Sequence, residues 1–182
     1  MNNKKITCDE GAGPVRPEPF VLVIFGAAGD YSKRMLLPSL FHLYLDGLLP
    51  EYFPVVGFGL PEMNDSQYRK WVRDAIRKYS DTRPAADDLA AFSAHLRYLS
   101  SPFEQVESYQ SLFKIIENLC HDDRNKKFNV LFYLAVPPVA APAIIDMLER
   151  HRLADDLYEP RIIMEKPFGR DCSSAVLLNS LF

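Results

Sequence analysis

One short segment limits what this chain can fold into: six consecutive apolar residues, 20–25, end at Gly26. A continuous apolar run of this length is typical of a strand buried on both faces, as in parallel sheets. A loop with a second glycine, Gly29, follows, and apolar residues then recur at spacings of three and four over residues 33–48. This spacing predicts an amphipathic helix. A buried strand, a glycine loop and a helix in this order indicate the start of a parallel α/β fold.

The same alternation continues along the chain. Further strands are predicted at 53–58, 96–99, 129–136 and 161–165. Helices are predicted at 67–79, 89–95, 108–119 and 140–150, and from Asp171. Asp65 and Ser66 are the N-cap candidates for the helix at 67–79. The order predicts a Rossmann-like, doubly wound parallel sheet with helices on both faces. Residues 20–182 are predicted to form this domain, and residues 1–19 a flexible arm before it.

The amino-acid composition indicates which kinds of partner this chain is not expected to bind. The 21 basic and 24 acidic residues give a net charge of −3, which argues against a nucleic-acid partner. No apolar run reaches the roughly 18–20 residues of a membrane span, so no membrane partner is expected. Cys8, Cys120 and Cys172 are widely spaced and lack metal-ligand spacing. They are interpreted as reduced thiols of a cytoplasmic protein that holds no metal.

The glycine loop has the features of a dinucleotide site. A pyrophosphate needs close backbone approach together with the free amides and partial positive charge of a helix N-terminus. Gly26 would make the tight turn, Gly29 would let the backbone close on the phosphate, and Lys33 and Arg34 add positive charge. The alternative interpretation is a plain strand-to-helix turn that uses glycines for geometry alone, because a short Gly-x-x-Gly is a weak motif.

The end of the second predicted strand leaves the coenzyme open. Such sites usually place there an acid for the ribose 2′-hydroxyl or an arginine for a 2′-phosphate. This chain has Leu60 at that point, and the nearest acid, Glu62, is more simply a surface residue. The residues alone do not decide between NAD and NADP.

Two further segments lie where ligands bind in such folds, at the carboxyl ends of strands. Val136 and Pro137 end one strand and would form a wall of the nicotinamide pocket, or they simply stop the strand. Lys166 follows another buried strand, next to Pro167, and would bind a substrate hydroxyl or phosphate. The alternative for Lys166 is a structural ion pair with Glu165.

Candidates for the catalytic chemistry itself are missing. The four histidines, His42, His95, His121 and His151, all fall away from the predicted ligand edge. No Ser-His-Asp or paired-carboxylate arrangement stands out. No catalytic residue is therefore assigned in this chain.

Four segments in the correct order, 26–40, 46–50, 132–138 and 165–171, resemble the glucose-6-phosphate dehydrogenase family. The first resembles the family's coenzyme loop, Gly-x-x-Gly-Asp-Leu-Ala-x-Arg/Lys-Lys-Leu-x-Pro, and the Glu-Lys-Pro-Phe-Gly string of the last is the most diagnostic. The resemblance implies oxidation of glucose 6-phosphate to 6-phosphogluconolactone, the opening step of the oxidative pentose phosphate pathway. It also implies NADP as coenzyme, with NAD possible, and a homo-oligomer.

The resemblance assigns roles to individual positions. It implies that Lys166 contacts both glucose 6-phosphate and the coenzyme, and that Pro167 shapes the coenzyme pocket. Together with the glycine loop, the predicted coenzyme-binding residues are Gly26, Ala27, Ala28, Gly29, Asp30, Tyr31, Ser32, Lys33, Leu60, Val136, Pro137, Lys166 and Pro167.

Three positions depart from the family pattern. Leu60 aligns with the arginine that selects NADP, Ala28 with a serine or threonine of the loop, and Met35 with a lysine. Each change removes a contact to phosphate, so a weaker NADP preference or use of both coenzymes is expected.

The family's catalytic signature, Arg-Ile-Asp-His-Tyr-Leu-Gly-Lys, does not occur in these 182 residues. The resemblance implies that the general-base histidine lies in an α+β domain outside these 182 residues. We therefore expect a truncated coenzyme domain that is inactive alone. The alternatives are a stand-alone, non-catalytic module that binds a dinucleotide or a partner, and another nicotinamide enzyme whose catalytic half is a separate chain.

Overall fold

The structure is a computed structural model that describes residues 16–81, 83–120, 128–151 and 158–166. Most of the predicted N-terminal arm and the helix predicted from Asp171 lie outside the described residues.

Strands and helices alternate throughout the described ranges. In chain order they are β1 (Phe20–Phe25), α1 (Leu37–Leu45), β2 (Val55–Gly59), α2 (Asp65–Tyr79), α3 (Ala86–Ala94), β3 (Leu96–Ser100), α4 (Val106–Leu119), β4 (Phe128–Leu134), α5 (Ala141–Arg150) and β5 (Tyr158–Met164). Each strand and helix predicted within these ranges is confirmed, with small shifts at the ends.

The five strands form one parallel sheet in the order β3-β2-β1-β4-β5. β1 lies at the centre, where Phe25 is in register with Phe58 of β2 and with Leu134 of β4. The chain winds outward from β1 first to one side and then to the other. The predicted doubly wound fold is confirmed, and its switch point, the place where ligands bind in such sheets, lies between β1 and β4.

Helices cover both faces of the sheet. On one face Val23 and Phe25 of β1 belong to a core shared with α4 and α5. On the other face Leu22 and Ile24 belong to a core shared with α1, α2 and α3. Because successive side chains of a strand point to opposite faces, the unbroken apolar run of β1 supplies both cores.

The predicted first helix starts with a wider turn. A π-helical turn, Ser32–Leu36, precedes α1, and the amide of Leu37 donates to the carbonyl of Ser32, five residues back. Pro38 follows in the first turn of α1. Since proline has no amide hydrogen and its ring crowds the carbonyl four residues earlier, regular α-helical bonding is interrupted there, and the π turn accommodates the interruption.

The N-cap prediction for α2 was wrong by one residue. Asn64, in extended conformation, accepts from the amide of Gln67 at 2.9 Å, and the Gln67 side chain accepts from the Asn64 amide at 2.9 Å. This reciprocal capping box satisfies two amides that the helix leaves open. Asp65 instead accepts from the amide of Tyr98 on β3 at 2.7 Å, so its carboxylate joins α2 to the sheet.

Tyr68 buries its hydroxyl group without a partner. Its side chain is fully buried and stacks on Tyr98, with ring centroids 4.5 Å apart. Within the described ranges its hydroxyl makes no hydrogen bond, and burial raises its pKa above the ordinary value. The Tyr98 hydroxyl, in contrast, donates to the carbonyl of Pro61 at 3.1 Å.

We expect Tyr68→Phe to leave the free energy of unfolding unchanged or to raise it by about 1 kcal/mol, because the substitution removes a buried polar atom that lacks a partner. Tyr98→Phe is the matched control and loses a hydrogen bond, so it should cost about 0.5–1.5 kcal/mol. Urea unfolding followed by circular dichroism measures both variants. A destabilised Tyr68→Phe would show that the hydroxyl has a partner in solution.

Candidate functional site

The predicted ligand-binding residues gather at one edge of the sheet, which we call the carboxyl edge. It is formed by the residues that follow three strands: the glycine loop (residues 26–29) after β1, residues 135–137 after β4, and residues 165–166 after β5. Leu60 lies beside them at the end of β2. Parallel pairing explains this grouping, because the carboxyl ends of all the strands meet at the same edge.

Gly26 lies in a space that no other residue fits. Its φ is +77°, and a β-carbon there would lie 2.4 Å from the carbonyl oxygen of Ala135 and 3.1 Å from Cγ1 of Val136. Its amide donates to the carbonyl of Phe58 at 2.9 Å. The tight turn expected of Gly26 is thus present, and it places the loop directly against the end of β4.

Hydrogen bonds to one carbonyl shape the glycine loop. The Gly26 carbonyl accepts from the amide of Gly29 and from the hydroxyl of Ser32, both at 2.9 Å. Ser32 and Ala27 are fully buried. The Ala27 side chain packs next to Gly57 of β2, and the Ser32 hydroxyl is already bonded within the loop, so neither side chain is exposed to a ligand. The chain then turns into a helix, with the amide of Lys33 donating to the Gly29 carbonyl at 3.0 Å.

The turn after Gly29 presents a helix N-terminus to solvent. Gly29, Asp30 and Tyr31 are exposed, and the first amides of a helix have no partner within it. These amides and the helix dipole favour an anion. A backbone that approaches without side chains, followed by free amides, fits the pyrophosphate of a dinucleotide.

The two basic residues of the first turn have partners on the protein. Arg34 pairs with Asp30 at 2.8 Å, and both side chains are more than half exposed. The ammonium of Lys33 lies 5.7 Å from the centroid of the Trp71 ring on α2. Exposed contacts of this kind contribute little to stability, so either side chain can turn to a ligand at low cost.

Two phenols and a carboxylate meet at the carboxyl edge, a cluster that sequence reasoning missed. The hydroxyl of Tyr31 donates to Oε1 of Glu165 at 2.5 Å, and the hydroxyl of Tyr133 donates to the same oxygen. The two hydroxyls are 3.3 Å apart. No local pattern marks these residues, because they follow or end three different strands.

These hydrogen bonds shift the pKa values of all three groups. The bonds from Tyr133 and then Tyr31 lower the pKa of Glu165. The bond to Glu165 raises the pKa of Tyr31, and burial, followed by the same carboxylate, raises the pKa of Tyr133. Glu165 therefore stays ionised to lower pH than an ordinary glutamate.

Lys166 is left available by this arrangement. It is exposed at the end of β5, and in the described part of the chain no ion pair joins it to Glu165. The structural ion pair considered for these neighbours is not formed: Glu165 instead accepts from two phenols, both at Oε1. Val136 and Pro137 follow β4 at the same edge; Val136 is half-buried and Pro137 is exposed. Pro167 lies outside the described residues.

The described histidines make their contacts elsewhere. Nε2 of His42 is 2.9 Å from the hydroxyl of Ser80, and the His95 ring stacks on Phe53, with centroids 4.2 Å apart. His151 stacks on Tyr109. Partial burial lowers the pKa of His95. His121 lies outside the described residues.

Two kinds of feature are absent from the described ranges. No group of three or more potential metal ligands occurs there. None of the helices described is long and apolar enough to span a bilayer.

A cavity of about 410 Å³ lies between α4 and α5, remote from the glycine loop. Its lining residues include Lys114 and Glu117 of α4 and Arg150 at the end of α5. These helices run opposite to the strands, so their C-terminal ends lie at the other edge of the sheet. The candidate site is therefore defined by backbone geometry at the open carboxyl edge, not by a deep cavity.

Comparisons with known proteins agree with this geometry. The family described as "Glucose-6-phosphate dehydrogenase, NAD binding domain" matches residues 23–182. The chain is 38% identical to glucose-6-phosphate 1-dehydrogenase of Chlamydia pneumoniae over 162 residues, which cover 86% of this chain and 31% of that protein. The same enzyme of Emericella nidulans is 32% identical over 155 residues, covering 85% and 29%.

Solved structures show the same likeness. A glucose-6-phosphate dehydrogenase in complex with its substrate glucose 6-phosphate superposes with a TM-score of 0.80 at 31% identity, covering 93% of this chain and 34% of that one. The Mycobacterium avium enzyme gives 0.75 at 28% identity, covering 90% and 33%. This chain thus spans about a third of the length of the relatives it matches.

We expect Gly26→Ala to cost about 3 kcal/mol or more of unfolding free energy. A positive φ costs an L-residue about 1–2 kcal/mol, and overpacking adds about 1–3 kcal/mol. Gly47→Ala is the matched control: its φ is +65°, but its β-carbon would meet only the flexible side chain of Arg16, at 3.2 Å. It should lose only the conformational part. Urea unfolding measures the difference, and equal losses would contradict the close contact with Ala135.

We expect Glu165→Gln to remove a pH-dependent contribution to stability. A pKa lowered by folding stabilises the protein above the ordinary carboxyl value of 4.5, and this contribution is lost as pH falls through the lowered value. The variant should therefore be less stable than the parent at neutral pH, and the gap should close in acid. Glu159→Gln, at an exposed pair with Arg161, is the control and should show no such step. Thermal unfolding across pH measures both variants.

Proposed function

The chain belongs to the glucose-6-phosphate dehydrogenase family, as its N-terminal NAD(P)-binding domain, and on that premise we propose that the carboxyl edge binds a nicotinamide dinucleotide for the oxidation of glucose 6-phosphate. The family resemblance implies that this dinucleotide is NADP, with NAD possible. The observation that carries it is the glycine loop, where Gly26 leaves no room for a β-carbon and a helix N-terminus follows.

Each part of the carboxyl edge has a role in this proposal. The amides of Ala28, Asp30 and Tyr31 hold the pyrophosphate, and Lys33 turns from Trp71 to add positive charge. Val136 and Pro137 wall the nicotinamide, which when bound supplies the hydride acceptor. Lys166 donates to the coenzyme and to the sugar phosphate, and Pro167 would shape the pocket beside it.

Among the described residues of the carboxyl edge, none is suited to act as the base that this reaction needs. Removal of the proton from a sugar hydroxyl requires a base within hydrogen-bond reach. Glu165 is the carboxylate closest in sequence to Lys166, but two phenols donate to it and lower its pKa, which makes it a weak base. We propose that residues 20–182 form one coenzyme-binding domain, and that catalysis needs the α+β domain characteristic of the family.

A second candidate function is a non-catalytic module that binds a dinucleotide or a partner. The exposure of two apolar residues favours it: Met35 is 57% exposed and Leu60 is 58% exposed, where the family pattern has cations. Coenzyme binding without any glucose 6-phosphate binding would distinguish this module from the enzyme domain.

The whole protein's location and assembly are proposed from family membership. A homo-oligomer agrees with the family. A cytoplasmic location agrees with the family and with three widely spaced cysteines, which are expected to be reduced thiols.

The test is coenzyme binding, measured by nicotinamide fluorescence, and its loss in Lys166→Gln. Because Lys166 is exposed, the variant should keep its stability, while the affinity for NADPH falls about tenfold with the loss of a charge-assisted hydrogen bond. Lys70→Gln, at an exposed lysine of α2, is the control and should bind as the parent does.

Turnover by the chain alone separates the coenzyme domain from a complete enzyme. We expect no glucose-6-phosphate-dependent reduction of NADP above background. Steady turnover would contradict the proposal that a further domain supplies the base, and failure to bind any dinucleotide would contradict the proposed function itself.

A further inference from the structure

The end of β2 forms one corner of the carboxyl edge, and its charges bear on the choice of coenzyme. Resting on the proposed function, we infer that this ribose corner (residues 59–64 and 101–105) receives a ribose with a free 2′-hydroxyl. The chain then binds NAD at least as tightly as NADP, with Leu60 as the residue that sets this preference.

The position of Leu60 follows from the strand pairing. In a doubly wound sheet, the residue after the second strand meets the ribose of the adenosine half. β2 pairs with β1, and a β-carbon on Gly59 would lie 3.7 Å from the amide nitrogen of Gly26. Leu60 follows directly and is 58% exposed, so an apolar side chain stands open beside the glycine loop.

The charge of the ribose corner opposes a phosphate. The amide of Ser101 donates to the carbonyl of Gly59 at 3.1 Å, which holds the segment after β3 against the end of β2. The two segments contain the exposed acids Glu62 and Glu104 and no lysine or arginine. A phosphate monoester carries a charge of about −1.5 to −2 at neutral pH and would meet only like charges from these segments. A hydroxyl carries none.

Two arginines of the neighbouring helix α2 donate to groups outside the ribose corner. The guanidinium of Arg69 donates to the carbonyl of Leu96 at 2.8 Å, at the start of β3 and so at the opposite edge of the sheet. The guanidinium of Arg73 donates to the hydroxyl of Ser93 on α3 at 2.9 Å. Neither of these cations is directed at the ribose corner.

Lys33 and Arg34 belong to the glycine loop's own helix. Arg34 pairs with Asp30, and Lys33 lies over Trp71. Lys33 can turn to the pyrophosphate, which NAD and NADP share. Its charge therefore supports both coenzymes and does not distinguish them.

The experiment compares NADPH and NADH binding to the full chain by nicotinamide fluorescence, at low and at moderate salt. The expected result is that NADH binds at least as tightly as NADPH, and that the difference shrinks at the higher salt, which screens the repulsion between the 2′-phosphate and the two acids. NADPH binding tighter than NADH would overturn the inference while leaving the proposed function intact. Failure to bind either coenzyme would overturn both.

Leu60→Arg tests the residue itself. An arginine there supplies a charge-assisted contact to the 2′-phosphate, so the ratio of NADPH to NADH affinity should rise about 10- to 100-fold. Leu45→Arg is the matched control, because Leu45 is also an exposed leucine (40%) but ends α1. An unchanged ratio in Leu60→Arg, or an equal rise in Leu45→Arg, would overturn the role of Leu60.

Lys33→Gln provides an independent measurement that does not depend on Leu60→Arg folding. We expect the affinities for NADPH and NADH to fall together, since both carry the pyrophosphate. A selective loss of NADPH affinity would identify Lys33 as a cation for the 2′-phosphate and overturn the inference.

Discussion

The contact between Gly26 and the carbonyl of Ala135 is the constraint on which the rest of the site depends. No β-carbon fits between them, so only a glycine lets the chain after β1 turn this closely against the end of β4. The Gly26 carbonyl then takes the Gly29 amide and the Ser32 hydroxyl, which sets the direction of the following helix. Because Gly26 lacks a β-carbon, the following helix N-terminus can lie over the switch point of the sheet, where its amides can bind an anion.

The hydrogen bonds among Tyr31, Tyr133 and Glu165 give Glu165 and its neighbour Lys166 different properties at the same edge. The two phenols hold the carboxylate ionised and fixed, and its neighbour Lys166 is left without an ion pair among the described residues. A site with an exposed ammonium group and the first amides of a helix is suited to phosphates. It is poorly suited to removing a proton, because its carboxylate is a weakened base. This agrees with a domain that binds the coenzyme and leaves the base to another part of the enzyme.

Family membership and the local charges point to different coenzymes. The family resemblance implies NADP, whereas the ribose corner holds Leu60, Glu62 and Glu104 and no cation of its own. A fold fixes where a ribose lies, but the few side chains at that point fix which ribose is preferred. The chain keeps the family's architecture, and in our proposal its coenzyme preference depends on Leu60, a position that the fold does not constrain.

The sequence alone determined the alternation of strands and helices, the double burial of β1, the glycine loop and the placing of Lys166 after a strand. These are local properties, since strand burial, helical spacing and turn chemistry are written within a few residues. Tertiary structure decided that Asn64 caps α2, because Asp65 is drawn to the Tyr98 amide of β3. It also decided the partners of Glu165, because Tyr31 is 134 residues away along the chain and meets it only through the strand order. Pairing across such distances depends on topology, which no local pattern in one sequence records.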